Sequence, residues 1–176
     1  MQNNLDSAAL LTDTSPMSQK QLELLVRKEL NKYGLHDWKF NWSKSKVIFG
    51  RCWYLRKQID LSSALFDANV DKNFDEVWDT VLHEIAHALS YVHNKYIGHG
   101  DPWKKWCCIV GAKPKTFYDS TSVTPAKFKY HLLDSNNKFM EGYHRMPRWA
   151  KTMPLNSAKA MMVNGKVREI KLVKIN

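Results

Sequence analysis

Two histidines and a glutamate near residue 84 have the types and the spacing of a zinc peptidase centre. His83, Glu84 and His87 form the pattern H-E-x-x-H in a stretch with helical periodicity. Residues four apart lie about 5–6 Å from each other on one helix face, so both imidazoles can reach one metal ion. Glu84 lies about 100° round the helix from His83, where its carboxylate flanks the metal and serves as a general base.

A third ligand is needed, because catalytic zinc takes three protein ligands and keeps one position open. His99 stands between two glycines, whose backbone freedom lets the chain fold back toward the helix. His93 is the nearest rival, but it projects from another face of the same helix. We therefore predict one catalytic Zn²⁺ held by His83, His87 and His99. The other histidines are interpreted as surface or core residues: His36, His93, His131 and His144.

Three helices are predicted around these residues from apolar spacing and capping signals. The first runs from about Pro16 to Tyr33, with Ser15 as its cap. The second carries H-E-x-x-H and begins at Asn73, which forms a start signal with Glu76. The third begins at the Asp101-Pro102 pair and ends near Gly111.

Short strands complete the prediction of an α+β fold. The runs 38–42, 47–49 and 52–61 alternate or concentrate apolar residues and suggest an antiparallel meander. Beyond Lys113, one hairpin is predicted around residues 135–137. A second is predicted around Asn164-Gly165, a pair that favours the tight turns of hairpins. We expect three parts: a flexible leader over 1–15, the metal-binding domain over 16–113, and a basic, β-rich extension over 114–176.

The charge is distributed unevenly along the chain. Residues 1–102 contain 12 Lys/Arg and 13 Asp/Glu, whereas residues 103–176 contain 15 Lys/Arg and 4 Asp/Glu, net charges of −1 and +11. Aromatic residues are interleaved with the basic ones, a combination typical of nucleic-acid binding. The alternative is a basic surface over an ordinary aromatic core. The candidate nucleic-acid contacts are Lys127, Lys129, Arg145, Arg148 and Lys151.

Other classes of protein are disfavoured. The three cysteines, Cys52, Cys107 and Cys108, form no C-x-x-C pair, which argues against a disulfide framework or a cysteine zinc site. No run of 18 apolar residues predicts a membrane span, so no membrane partner is expected. The N-terminus lacks the pattern of a secretory signal. We expect a cytoplasmic protein, associated with DNA, or a nuclear one in a eukaryote. The sequence gives no signal for an oligomeric state.

The motifs resemble those of one family. The run 83–88, the segment Gly98-His99-Gly100-x-x-Trp103-Lys104 and the strand motifs Gly50-Arg51-Cys52-Trp53 and Ile59-Asp60-Leu61-Ser62 are similar to those of SprT-like metallopeptidases. The resemblance covers about residues 18–113. It implies a small zincin domain, in which a short antiparallel sheet packs on helices. It also implies that His83, His87 and His99 bind zinc and that Glu84 is the catalytic base.

The resemblance extends to function and has one departure. Spartan-type members of the family cleave proteins crosslinked to DNA and are stimulated by DNA, which implies protein substrates and a DNA partner here. Many members carry a C-terminal zinc ribbon made of cysteine pairs, but this chain has no cysteine after Cys108. We expect the hairpin near residues 127–145 to replace that ribbon without metal.

The expected substrate is an extended peptide paired with the edge strand Cys52–Leu61. Tyr96 is interpreted as an exposed loop residue rather than an oxyanion stabiliser, and Asp79 as a solvated helix charge rather than a partner of His83. Two alternatives to a DNA-associated protease are a general peptidase whose basic tail binds protein partners and a non-catalytic zinc module that binds nucleic acid. The intact Glu84 argues against the second, since a binding module does not need that carboxylate.

Overall fold

The computed structural model describes residues 17–116, 121–152, 154–163 and 166–175. The chain divides into two compact units, residues 1–125 and 126–176. Its helices and strands confirm an α+β protein with two small sheets.

The first helix, α1 (Gln19–Lys32), begins later than the sequence predicted. Ser18 is its N-cap, and the side chains and backbones of Ser18 and Gln21 form a reciprocal capping box. The expected cap, Ser15, and the proline that follows it lie outside the described residues. The helix buries Leu22, Val26 and Leu30, one apolar residue per turn.

The first sheet is mixed, so the predicted antiparallel meander is wrong. It contains β1 (Lys39–Ser43), β2 (Gly50–Trp53) and β3 (Gln58–Ser62) in the order β1-β3-β2. β3 lies between the others, parallel to β1 and antiparallel to β2. The predicted strand 52–61 is two strands, because a 3₁₀ turn at Tyr54–Arg56 and a left-handed Lys57 reverse the chain.

Three more helices follow. The short α2 (Ser63–Asn69) was not predicted, whereas α3 (Phe74–Asn94) and α4 (Asp101–Val110) confirm the other two predicted helices. Asn73 caps α3 by accepting from the Glu76 backbone N–H. Most apolar side chains of α3 are buried, although Val92 near its end is exposed, and this burial fixes the rotation of the helix. No helix among the described residues is long and apolar enough to cross a membrane.

The first unit ends after Pro125, twelve residues beyond the boundary at Lys113 that the change in composition indicated. Side chains from α2 and the start of α3 hold the intervening segment. Asn69 donates to Thr124 O at 2.8 Å and accepts from Thr124 N at 2.7 Å. Asn73 donates to Ser122 O at 2.9 Å. These bonds attach residues 122–124 to the helices.

The second unit contains a four-stranded antiparallel sheet. Its strands are β4 (Tyr130–Asp134), β5 (Phe139–Tyr143), β6 (Ala158–Val163) and β7 (Lys166–Lys174), in the order β5-β4-β7-β6. Both predicted hairpins are present as strand pairs, although Asn164 and Gly165 themselves lie outside the described residues. The core of the unit consists of Tyr130, Leu132, Ala150, Ile170 and Leu172.

Candidate metal centre

Helix α3 places His83 and His87 one turn apart beneath the cleft of the first unit. Their ring centroids lie 4.9 Å apart, and His87 is only 6% exposed. Burial of the apolar side of α3 fixes the rotation of the helix, so the two imidazoles face the same point. The helix therefore supplies two converging nitrogen donors.

The turn after α3 returns His99 to the same point. Lys95 and Gly98 have positive φ values, 54° and 121°, which reverse the chain direction. Tyr96 then closes the turn, because its hydroxyl accepts a hydrogen bond from the Gly100 backbone N–H at 3.1 Å. The interpretation of Tyr96 as a merely exposed residue is wrong: it is half-buried and organises the turn that carries His99.

The three Nε2 atoms converge. The distances are 3.2 Å between His83 and His87, 3.1 Å between His87 and His99, and 3.3 Å between His83 and His99. Zn–N bonds of about 2.0–2.1 Å in a tetrahedral site place ligand atoms about 3.3 Å apart. These three side chains form a group within the described residues that is able to hold a metal ion. The spacing of the donors fits zinc.

Burial keeps the three imidazoles in the form that binds metal. It lowers the pKa of His83 to about 4 and that of His87 to about 3, with smaller contributions from the neighbouring imidazoles. Burial also lowers the pKa of His99. At neutral pH all three are therefore uncharged, as metal ligands must be.

Two aromatic residues support the ligands, and the sequence analysis assigned no role to either. Trp103 is fully buried, and its ring centroid lies 4.8, 5.2 and 4.6 Å from those of His83, His87 and His99. The Tyr54 hydroxyl lies 3.3 Å from His87 Nδ1 and receives a backbone hydrogen bond from Gly98. Tyr54 therefore connects a ligand on the helix with the turn that carries His99.

The Glu84 carboxyl group lies against β2, and Glu84 lines the same cleft as the three histidines. The side chain is 6% exposed, and burial raises its pKa to about 8. The Arg51 charge and a backbone hydrogen bond from Cys52 act in the opposite direction. Glu84 is thus a buried carboxyl group beside the histidines, with a pKa near neutrality.

A cleft of about 630 Å³ opens over the histidines and Glu84. The edge strand β2 borders it on one side and residues 97–99 on another. Of the predicted edge strand Cys52–Leu61, only Cys52 and Trp53 belong to an edge strand, β2, because β3 is the central strand. The cleft therefore offers an extended ligand a strand edge next to the histidines.

Asp79 has neither of the roles considered for it. Its Oδ1 accepts from the Lys113 backbone N–H at 2.8 Å, and burial raises its pKa. The Lys113 ammonium also pairs with Glu76. Asp79 therefore holds the segment after α4 against α3 and is not a solvated charge.

The remaining histidines lie elsewhere. His36 contacts Asn31, and His93 stacks on Trp106 with 4.8 Å between ring centroids. His131 and His144 belong to the second unit, where both pack against Phe128. None of the four belongs to the converging group.

The five candidate nucleic-acid contacts are all in the second unit. Two of them, Lys127 and Lys129, precede β4, and Arg145 follows β5. Because Tyr130 pairs with Tyr143, these three positions lie at the same end of the hairpin. All five side chains are exposed: Lys127, Lys129, Arg145, Arg148 and Lys151.

Comparison with known proteins identifies the family. No curated protein sequence matches the chain. The sequence model of the SprT-like family matches residues 18–125, which include all of α1 to α4 and the mixed sheet. That match spans more than half of the chain and ends where the first compact unit ends. The chain therefore belongs to the SprT-like family.

Proposed function

We propose that this protein is a zinc-dependent endopeptidase that acts on DNA-associated or DNA-crosslinked proteins. The observation that carries the catalytic part is the convergence of three neutral imidazoles within 3.3 Å of one another, next to a buried carboxyl group in an open cleft. Family membership supports the same reaction class.

His83, His87 and His99 would hold the metal through Nε2. When bound, zinc supplies a Lewis acid that polarises a peptide carbonyl and lowers the pKa of water. A histidine that ligates through Nε2 carries its proton on Nδ1, and in His87 this atom faces the Tyr54 hydroxyl. The contacts of His87 thus fit the tautomer that a zinc ligand needs.

Glu84 would move the proton. Burial raises the pKa of the Glu84 carboxyl group in the metal-free protein, and a zinc ion bound beside it would favour the ionised form that accepts a proton. Glu84 would take a proton from the attacking water and deliver it to the amine nitrogen as the peptide bond breaks. Its burial favours the neutral, protonated form between these two steps.

The substrate would bind as an extended segment along β2. β2 is at the edge of the sheet, and the outer backbone groups that Glu84 does not occupy are positioned to pair with a peptide. Exposed apolar side chains of Val47, Ile48 and Ile97 also line the cleft. They favour a peptide with apolar side chains near the bond that is cut.

The decisive test compares zinc-loaded wild type with Glu84→Gln, which keeps the shape of the side chain but not its basicity. Each is incubated with a DNA-binding protein, with and without single-stranded DNA, and the fragments are separated on a gel. We expect wild type to cleave the substrate protein only when DNA is present, and Glu84→Gln to cleave nothing under either condition. Equal activity of Glu84→Gln would exclude the proposed peptidase mechanism.

The DNA-associated part of the proposal rests on the second unit. Residues 126–176 contain 11 Lys/Arg and 3 Asp/Glu, a net charge of +8. On β4, Tyr130 and Leu132 are in the core, so His131 lies on the other face of the sheet. The His131 ring centroid lies 5.0 Å from that of Phe139, which is 50% exposed. Exposed aromatic rings among cations favour contact with unpaired bases.

The same gel distinguishes the alternatives. Cleavage that is independent of DNA would support a general peptidase whose basic unit binds protein partners. DNA binding without any cleavage would support a non-catalytic zinc module. The buried Glu84 favours the peptidase hypothesis over the non-catalytic module, since burial of a carboxyl group that has no role would only lower stability.

A further inference from the structure

The strand that borders the cleft passes Glu84 at a glycine. Gly50 is the first residue of β2, and a Cβ atom placed there would lie 2.6 Å from Glu84 Oε1 and 2.8 Å from Glu84 Cγ. It would also lie 2.8 Å from Cγ2 of Thr80. Carbon atoms do not approach other heavy atoms this closely without repulsion. Any larger residue at position 50 would therefore displace the carboxylate or the strand.

Backbone conformation does not explain the glycine. Gly50 is not among the glycines with positive φ, which are Gly34, Gly98 and Gly111. A glycine within a strand weakens it and often marks a close approach of the backbone to another group. At Gly50 that group is the side chain of Glu84.

The same strand also holds the carboxylate through a donor. The Cys52 backbone N–H makes a hydrogen bond to Glu84, and the Arg51 charge acts on it as well. Gly50 and Cys52 are two apart, so they present the same side of the strand to α3. One strand thus provides both the space for the carboxylate and a hydrogen-bond donor to it.

We propose that Gly50 is a positioning residue, which keeps the Glu84 carboxylate oriented for proton transfer in the peptidase reaction. The proposal rests on the proposed function. The three heavy atoms nearest a Cβ at position 50 belong to Glu84 and Thr80, so we expect Gly50 to contribute through Glu84 and not through metal binding. A misplacement of a catalytic group by about 1 Å lowers the rate by about 100-fold.

The kinetic test uses the full chain, loaded with zinc, and the variant Gly50→Ala. We expect kcat to fall by about 10- to 100-fold, with KM and the zinc dissociation constant within about twofold of wild type. Thr80→Ser is the matched control, because it alters the same helix–strand contact but leaves Glu84 untouched. It should keep kcat close to wild type. A wild-type kcat in Gly50→Ala would overturn the proposal.

A second readout does not depend on cleavage. The urea midpoint of the metal-free protein is measured for Gly50→Ala alone and in the Glu84→Ala background, which removes the crowded carboxylate. We expect a markedly smaller shift in the second background. Equal shifts would overturn the proposal, because a general effect on the strand is independent of Glu84.

The kinetic and urea measurements distinguish a failure of the Gly50 proposal from a failure of the proposed peptidase function. If Gly50→Ala does not fold alone, its recovery in the Glu84→Ala background supports the contact between these residues. If wild type cleaves nothing, the proposed function fails, and the coupling between the two substitutions still decides whether Gly50 positions Glu84. A kcat loss that parallels an equal loss of zinc binding would also overturn the role assigned to Gly50.

Discussion

The Tyr54 hydroxyl connects His87 with Gly98 in the turn that carries His99. Partners of this kind fix the orientation of a metal ligand, and their loss typically weakens metal binding 10- to 100-fold. The phenol comes from the 3₁₀ turn between β2 and β3, far from the histidines in sequence. It therefore fixes ligand orientation from outside the segment that supplies the ligands.

We predict that Tyr54→Phe raises the zinc dissociation constant about tenfold, because His87 loses its Nδ1 partner. Competition with a chromophoric chelator measures the constant. Tyr33→Phe is a suitable control, since it removes the hydroxyl of another tyrosine, one that donates to the Ile109 backbone carbonyl. Unchanged affinity in Tyr54→Phe would show that the hydroxyl does not support the ligand.

The lowered pKa values of His83 and His87 predict a pH dependence of stability without metal. The unfolded chain binds protons at these residues below pH 6.5, whereas the folded chain does not until about pH 4 and pH 3. The contribution of these two histidines to stability is therefore retained above pH 6.5 and lost as the pH falls toward 4, whereas the raised pKa of Glu84 acts in the opposite direction. Urea titrations of wild type and His83→Gln at pH 7.5 and 5.0 isolate the histidine contribution, and we expect acidification to change stability more favourably in His83→Gln than in wild type.

At the scale of single residues, the sequence predicted the metal ligands and the general base but not the residues that position them. Residue type and helical spacing predicted His83, Glu84 and His87 as a group, and the flanking glycines predicted that His99 would join them. Gly50 and Tyr54 contribute through contacts between elements distant in sequence, and such contacts leave no periodic pattern. Trp103 has the spacing of a core residue, so its position beneath three imidazoles was not predictable from periodicity alone.

At the scale of elements, helices were predicted better than sheet order. The apolar stripe and caps of α3 determine both its existence and its face. Strand order instead depends on which strands pair, and short strands with similar composition pair in several ways. The 3₁₀ turn at Tyr54–Arg56 divides a run that alternates well enough to resemble one strand. The short α2 lacks the length at which periodicity becomes informative.

One of the two amide side chains that attach residues 122–124 is fully buried. Asn69 is fully buried and makes hydrogen bonds to Leu65 O and to both backbone groups of Thr124. We predict that Asn69→Ala lowers the free energy of unfolding by about 2–4 kcal/mol, since it leaves buried backbone groups unpaired. Urea denaturation measures the change. Asn41→Ala, at an exposed amide, should cost less than about 1 kcal/mol.

At the scale of the whole molecule, the charge is concentrated in the second unit, where composition predicted it. Net charge is a sum over residues and does not depend on pairing, which explains why it was predictable. Residues 114–125 contain one lysine and one aspartate, so the concentration of charge does not indicate the unit to which they belong. Hydrogen bonds from Asn69 and Asn73 attach residues 122–124 to the first unit.

We predict that Arg145→Gln/Arg148→Gln/Lys151→Gln weakens binding of the full chain to single-stranded DNA. The logarithm of the affinity falls with the logarithm of the salt concentration, and each lost phosphate contact should make this slope less steep by about 0.7. Fluorescence anisotropy at several salt concentrations measures this slope. Lys20→Gln/Lys28→Gln/Lys72→Gln removes the same charge from the first unit and should leave the slope unchanged. Equal slopes in both variants would exclude a DNA surface at these residues.

The chain separations within the centre imply an order of assembly. The three ligands span only sixteen positions, from His83 to His99, and local contacts form early in folding. The strand that orients Glu84 comes from 34 positions earlier in the chain and must dock across a longer loop. The group of three histidines can therefore assemble before the strand docks against Glu84.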